Sequence, residues 1–279
     1  MAHSLIADLH THTLYSDGSL SPAAVCALAH EQGVDLLAIT DHDTLDAYAD
    51  VGLSGGPSPE LVVGLELSAL WTKRPVHIVG LGVDPQHEGL RAGIVAQRAA
   101  RELRATRIAK RLEKRGIPNA LEGARRHAGQ GILGRPHFAA HLVECGAVRD
   151  MAQAFHQFLG HGKPGDVSTP WPQMATVIDW VREAGGVAVL AHPAKYKLTR
   201  TKLNELVAAF KTAGGAAMEV ISGTQQYAQT QTLANLCEEA GLLASSGSDF
   251  HHPDQRWAQI GKGLRLPSRL TPVWTHWRS

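Results

Sequence analysis

His10 and His12 stand two positions apart in the stretch Ala7-Asp-Leu-His-Thr-His-Thr-Leu-Tyr15, directly after the apolar run Ser4-Leu-Ile-Ala. On a strand, positions i and i+2 project to one face, so both imidazoles can reach a common ion. The same residue types recur where other apolar runs end, in Asp41-His42-Asp43, Glu66, Ala191-His192-Pro193 and Gly247-Ser248-Asp249-Phe250-His251. Asp17 follows in the loop after the first run, and His77 lies within the fourth. Imidazole and carboxylate donors without cysteine suit manganese, iron or zinc at a reactive site better than a thiolate-bound structural zinc. His10, His12, Asp17, His42, Glu66, His77, His192, Asp249 and His251 are too many donors for one ion, which takes about four to six, so two or three divalent ions are expected. Taken singly, each has an ordinary reading: Asp17-Gly18 as a turn, Glu66 as an ion-pair partner, His192-Pro193 as a loop, Asp249 as a helix cap. Their joint placement at the ends of apolar runs is what points to a metal-binding face.

Such a face needs strands that end side by side. Strand-like runs occur at Leu5–Asp8, Leu36–Thr40, Leu61–Leu65, Val76–Gly82, Val187–Ala191, Ala217–Ile221 and Leu243–Ser246. Amphipathic stretches lie between many of them, at Pro22–Gln32, Met174–Glu183, Lys202–Thr212 and Thr230–Ala240. Ser21-Pro22 reads as an N-cap with proline at the first helical position, and Gly33, Gly185-Gly186, Gly214-Gly215 and Gly241 precede the next strand. Repeated helix–Gly–strand units predict parallel strands joined by right-handed crossovers, and about seven of them favour a barrel-like α/β sheet. In such barrels the reactive residues gather at the carboxyl ends of the strands.

Residues 86–170 break this rhythm. Arg91–Arg115 reads as one long helix with Arg98, Arg101, Arg104, Arg107, Arg111 and Arg115 at three- or four-residue spacing, followed by helical pieces at Asn119–His127, Pro136–Glu144 and Asp150–Leu159. The expected organisation is therefore a barrel of residues 1–85 and 171–279 carrying a helical lid of residues 86–170. Residues 86–130 hold eleven Lys and Arg against four Asp and Glu, a local net of +7, which leaves 16 against 22 elsewhere. The near-neutral total of +1 thus combines a basic insertion with an acidic body. Arginines beside a metal face predict an anionic substrate.

The 279 residues, 44% hydrophobic, suffice for a large core, and no apolar run approaches the roughly 18–20 residues needed to span a bilayer. No secretion signal is expected from the N-terminal residues. Cys26, Cys145 and Cys237 are scattered and form no Cys-x-x-Cys pair, so a disulfide framework is not expected and a cytoplasmic location is. His3, His30, His87, His127, His156 and His276 read as solvated, and Trp71 and Trp171 as core or rim packing.

The ordered series His10-x-His12, Thr40-Asp41-His42-Asp43, Glu66, His77, Ala191-His192-Pro193 and Gly247-Ser248-Asp249-Phe250-His251 resembles the PHP superfamily, named for polymerase and histidinol phosphatase domains. The resemblance implies a distorted (β/α)7 TIM-like barrel with a trinuclear centre. It implies one ion held by His10, His12, Glu66 and Asp249, a second by Glu66, His77 and His192, and a third by Asp17, His42 and His251. Gly134-Arg135-Pro136-His137-Phe138-Ala139 and Phe158-Leu159-Gly160-His161-Gly162-Lys163-Pro164 are similar to the branch of 3′,5′-nucleoside bisphosphate phosphatases and 5′→3′ exonucleases of short RNA. His252-Pro253 departs from the glycine common at that point of the family pattern.

A phosphorylated nucleotide, or short RNA, is then the expected partner, with no membrane and no protein partner inferred. Manganese is the expected metal, with iron or zinc as alternatives. Arg135, His137 and Asp41 are the catalytic candidates: Arg135 as a two-pronged fork on phosphate, His137 as proton donor or as the group that orients Arg135. Lys163, Lys195, Tyr196 and Arg200 join Arg135 as substrate contacts. Two other readings stand beside this one. An amidohydrolase-type barrel also begins with His-x-His but expects a bridging lysine at a strand end, and a non-catalytic PHP-like module is expected to lose ligands.

Overall fold

A computed structural model describes residues 5–52 and 59–278; His3 lies outside the described residues. Three strands, β1 (Ala7–Thr11), β2 (Leu36–Ile39) and β3 (Glu60–Leu61), form a parallel sheet in that order. Five more, β4 (Gly64–Trp71), β5 (Arg74–Leu81), β6 (Val187–Leu190), β7 (Ala217–Ser222) and β8 (Leu243–Gly247), form a second sheet, also in sequence order. Isolated bridges join the sheets at both flanks, Thr11 with Phe250 beside β8 and His42 with Glu66 on β4. The β8 flank is fastened by His12 N donating to Phe250 O at 2.9 Å and Asp249 N donating to His10 O at 2.8 Å. Ala7, Leu9, Leu36, Ala38, Val79, Leu81, Val187, Val189 and Ala217 form one apolar cluster shared by strands of both sheets.

The expectation of parallel strands throughout fails at β4 and β5. These pair antiparallel through the turn Thr72-Lys73, and β5 pairs antiparallel with β6. A two-residue turn returns the chain directly, whereas a parallel partner needs a crossover of about a dozen residues or more. Leu61–Leu65 is also two elements rather than one strand, and β4 continues to Trp71. Glu66 is consequently the third residue of β4 and His77 the fourth of β5, so neither sits at a strand's carboxyl end. Leu65, Leu67 and Ala69 fill the main core, and the alternation turns Glu66 and Ser68 to the opposite face.

Helices α1 (Pro22–Glu31) and α2 (Tyr48–Val51) belong to the first part, and α7 (Met174–Glu183), α8 (Arg200–Thr212) and α9 (Tyr227–Ala240) alternate with the later strands. Between β5 and β6 lie α3 (Glu88–Glu113), α4 (Ala120–Ala128), α5 (Arg135–Glu144) and α6 (Met151–Ala154), the last running into a π-helical turn at Phe155–Leu159. His87, far from being idle, accepts from Leu90 N through Nδ1 at 3.3 Å and caps α3. Leu90 and Ile94 at the start of α3 join the main core, while Ala105, Ile108, Ala109 and Leu112 at its end join a separate cluster with Phe138, Leu142 and Leu159. One rigid helix thus ties the inserted helices to the sheets and carries its arginines across the boundary.

Candidate metal centre

All nine predicted donors converge. His10 and His12 turn their Nε2 atoms toward each other at 3.1 Å, and Glu66 Oε2 lies 3.4 Å from both. Asp249 Oδ1 is 3.6 Å from His10 Nε2 and 3.4 Å from His12 Nε2. The other Glu66 oxygen, Oε1, meets His77 Nδ1 and His192 Nε2, each at 2.8 Å. Asp17 stands 3.7 Å from His12 and from His42, and 3.3 Å from His251. Three groups of potential ligand atoms result: His10, His12 and Glu66; His42, Glu66 and His77; and His12, Asp17, His42 and His251. Glu66, 1% exposed, belongs to two of them.

The donor chemistry fits divalent cations. Facing imidazole nitrogens ringed by carboxylate oxygens present lone pairs to a common space, with little to satisfy them except protons or metal. His42 Nδ1 is buried 2.9 Å from Glu66 Oε2, yet has no hydrogen-bond partner of acceptable geometry. Burial alone would raise Glu66, but His77, His42 and His10 outweigh it and hold the carboxyl well below the ordinary range. Asp17 is similarly held down, against its burial, by His251 and His42. Burial and the neighbouring His251 push His12 down to about 3. His251 is raised to about 9, because Asp17 and Asp249 overcome its burial. An imidazole must lose its proton to ligate, so a metal held at His251 would displace a proton and bind more weakly as pH falls.

Backbone strain marks the same place. His192 (φ +28°) and Asp249 (φ +53°) adopt left-handed conformations, which cost non-glycine residues on the order of 1–3 kcal/mol each. Each is over-determined by its hydrogen bonds: His192 N donates to Glu219 Oε2 at 2.6 Å, and Asp249 N to His10 O at 2.8 Å. Glu219, on β7, is a residue that the motifs do not flag. It is 1% exposed, and its Oε1 lies 2.5 Å from His10 Nδ1. That contact suits a proton on Nδ1 and orients Nε2 toward the cluster, the usual arrangement for a ligating imidazole. Gly247 lets β8 approach closely here, since a Cβ would fall 2.3 Å from that of His10.

Asp41 corrects a catalytic assignment. Its oxygens accept from Thr13 N at 2.7 Å, Thr13 Oγ1 at 2.5 Å and Ser16 Oγ at 2.6 Å. It therefore anchors the loop that presents Asp17, with both oxygens engaged in holding that loop.

The PHP domain family matches residues 8–114, the segment that carries His10 through His77. The chain is 43% identical, over 99% of its length and 94% of the relative's, to the 5′-3′ exoribonuclease Rnm of Escherichia coli. It is 39% identical, over 96% of its length and 94% of the relative's, to the 3′,5′-nucleoside bisphosphate phosphatase of Chromobacterium violaceum. The chain belongs to the PHP family. Among solved structures, an amidohydrolase from Chromobacterium violaceum with bound sulfate and no metal superposes with a TM-score of 0.88 at 38% identity, covering 97% of this chain and 95% of that one.

Beside the PHP cluster opens a cleft of about 890 Å³, lined by Asp17, His42 and His77 on one side and by the inserted helices on the other. Arg101, Arg104 and Arg135 face it together. Arg101 is committed, with Nε on Asp43 Oδ2 at 2.5 Å and Nη2 on Ser68 Oγ at 3.0 Å. Arg104 has no partner for its buried Nε and stacks over Trp171 with Arg101, at 5.8 and 5.4 Å. Burial, with the neighbouring Arg135 and Arg101, lowers Arg104 to about 9. Guanidinium groups crowded in a half-buried wall repel one another, and an anion would relieve that repulsion.

Of the predicted substrate contacts, Lys195 and Tyr196 line this cleft. Lys195 Nζ pairs with Asp249, and the Tyr196 hydroxyl accepts from His77 N at 2.8 Å. The other assignments need correcting. Arg200 turns to Asn204 and Glu239, at 3.0 and 3.2 Å, because the left-handed Lys197 (φ +51°) redirects the chain before α8. Lys163 is not among the cleft-lining residues. His137 accepts from Gly134 N through Nδ1 at 3.0 Å, closing the first turn of α5, and likewise does not line the cleft.

Proposed function

We propose that this chain is a metal-dependent phosphoesterase that removes the 3′-phosphate of nucleoside 3′,5′-bisphosphates, leaving a nucleoside 5′-monophosphate and phosphate. The observation that carries the reading is the nine-residue His, Asp and Glu cluster opening onto an arginine-walled cleft. The two bridged sheets act as one distorted (β/α)7 barrel of residues 1–85 and 171–279, and residues 86–170 are its lid. Manganese, as two or three ions, is the metal, with His10, His12, Glu66 and Asp249 on the first, Glu66, His77 and His192 on the second, and Asp17, His42 and His251 on the third. When bound, such ions acidify water and neutralise phosphoryl charge. The setting is cytoplasmic.

The chain's own residues divide the remaining work. Glu219 and Asp41 hold the ligands and their loop in place, so little reorganisation accompanies the reaction. Arg104 and Arg135 take the 5′-phosphate, their paired charges matching an oxyanion better than a lysine would. Arg101, fixed by Asp43 and Ser68, lends charge without moving. Lys195, beside Asp249, faces the reacting phosphate. A sulfate in the Chromobacterium violaceum structure is in keeping with a tetrahedral anion as ligand. The amidohydrolase alternative loses ground because Glu66, not a lysine, occupies the centre of the cluster.

A second reading rests on the 43% identity to an exoribonuclease. Hydrolysis of the bond between a 3′-oxygen and phosphorus releases a 5′-mononucleotide from RNA just as it releases phosphate from a bisphosphate. Water adds its hydroxyl to phosphorus, and the leaving 3′-oxygen takes up a proton. The two substrates differ only in whether the reacting phosphate carries more chain. Incubating adenosine 3′,5′-bisphosphate and a 5′-phosphorylated trinucleotide separately with manganese and separating the products tests both. Adenosine 5′-monophosphate and phosphate are expected from the first; turnover of neither substrate overturns the proposal.

A further inference from the structure

We infer that the rim around Tyr227 and Trp257 is a second binding site, a track that holds the downstream nucleotides of single-stranded RNA; the inference rests on the exoribonuclease reading above. Tyr227 is 79% and Trp257 63% exposed, the two exposed aromatic side chains among the described residues. The two belong to one surface. Thr224 N, in the turn between β7 and α9, donates to Trp257 O at 2.7 Å. Gly223 (φ +66°) sits so tightly between Trp257 O and Ser248 O that a Cβ would meet them at 2.5 and 3.0 Å. Gln225 stiffens the same turn, with Nε2 donating to Val220 O at 2.6 Å and to Thr230 Oγ1 at 2.9 Å. Because Ser248 precedes Asp249, this rim begins one residue from the metal-ligating cluster.

Charge points to the class of ligand. Residues 252–269 carry four basic residues, Arg256, Lys262, Arg265 and Arg269, against one acidic residue, Asp254. Arg269 is occupied by Glu238, Gln231 and Asn235. Arg256 and Arg265 have no hydrogen-bond or ion-pair partner among the described residues, and Arg265 lines a cleft of about 620 Å³ together with Tyr227 and Gln225. Exposed aromatic rings interleaved with free cations form the pattern that binds single-stranded nucleic acid, by stacking on bases of any sequence and pairing with phosphate.

Direction follows from the chemistry. The arginine cleft is walled by residues of β4, β5 and the insertion, whereas Tyr227 and Trp257 belong to the segments that follow β7 and β8. With the first nucleotide's 5′-phosphate in the arginine cleft and its 3′-phosphate at the cluster, the rest of the strand leaves from the reacting phosphate over the β7–β8 flank. A bisphosphate ends at that phosphate and never reaches the rim.

Trp257→Ala and Tyr227→Ala, both at exposed positions, test this with three substrates: adenosine 3′,5′-bisphosphate, a 5′-phosphorylated dinucleotide and a 5′-phosphorylated decanucleotide. Each variant is expected to raise KM about tenfold on the decanucleotide, with kcat unchanged, and to leave the bisphosphate kinetics as in the wild type. Arg265→Ala should flatten the salt dependence of decanucleotide affinity by about 0.7 in logarithmic slope. Binding of a labelled decanucleotide under chelation, followed by anisotropy, should weaken in parallel. If decanucleotide binding and KM are unaltered in both aromatic variants while the bisphosphate and RNA are hydrolysed, the track is overturned and the catalytic reading survives. If the wild type neither binds nor cleaves the decanucleotide, the exoribonuclease reading falls, and the track with it.

Discussion

Glu66→Ala is expected to reduce hydrolysis of a 3′-phosphorylated nucleotide by at least about a thousandfold, the equivalent of losing about 4 kcal/mol of metal-derived transition-state stabilisation. Glu66 is the one carboxylate whose oxygens approach His10, His12, His42, His77 and His192. Its removal disconnects two of the three ligand groups and leaves several buried imidazoles without their counter-charge. Metal content should fall together with activity. Glu66→Gln retains volume but not charge, and is expected to fail almost as badly. Steady-state kinetics with elemental analysis of each variant checks this; near-wild-type kcat/KM in Glu66→Ala would contradict it.

Arg104→Ala and Arg135→Ala are each expected to lower kcat/KM by about 100- to 1,000-fold on a nucleoside bisphosphate, the cost of removing one strong donor from a transition-state or substrate anion. Stability should behave differently. Burial and nearby cations already lower both below the usual arginine range, with Arg135 and Arg101 acting on Arg104 and Arg101 acting on Arg135, so removing either one deletes a buried, repelled charge. Thermal melting should therefore stay within a few degrees of the wild type while activity collapses. Arg101→Ala provides the contrast. It strands the buried Asp43 carboxylate and is expected to destabilise the fold by about 3–5 kcal/mol, losing activity through unfolding. Equal melting losses in all three variants would show that the arginines act as structure rather than as an anion site.

The ligand cluster was legible because polar, titratable residues at the ends of apolar runs are costly unless something uses them. His10, His12 and Asp249 carry that signal in their immediate neighbours. Glu219 carries it too, as one carboxylate inside the apolar strand Ala217-Met-Glu-Val-Ile221, but with no second donor nearby in sequence it has no motif to belong to. Asp41 shows the converse. It sits beside His42 in a ligand-like triplet, yet only the approach of Thr13 and Ser16, 28 and 25 residues away, shows that its oxygens hold a loop.

Direction was the other hidden quantity. Lys195 and Arg200 lie five residues apart after the same histidine motif, and a left-handed turn at Lys197 sends them to opposite surroundings. The β4–β5 hairpin escaped because the strand-like runs stop at Leu65 and resume only at Val76, while backbone pairing from Glu66 with Val79 through Trp71 with Arg74 holds the stretch between as sheet. The arginine spacing along α3 showed a basic stripe. Which members face the cleft depended on how α5 and the π-helical turn pack against that helix, a tertiary matter.

The most direct test is anomalous scattering from crystals grown with manganese and recorded at the manganese edge. Two or three peaks are expected within coordination distance of Glu66, each also reached by histidines from the set His10, His12, His42, His77, His192 and His251. Peaks confined to other parts of the molecule, or none near Glu66 at saturating manganese, would contradict the account.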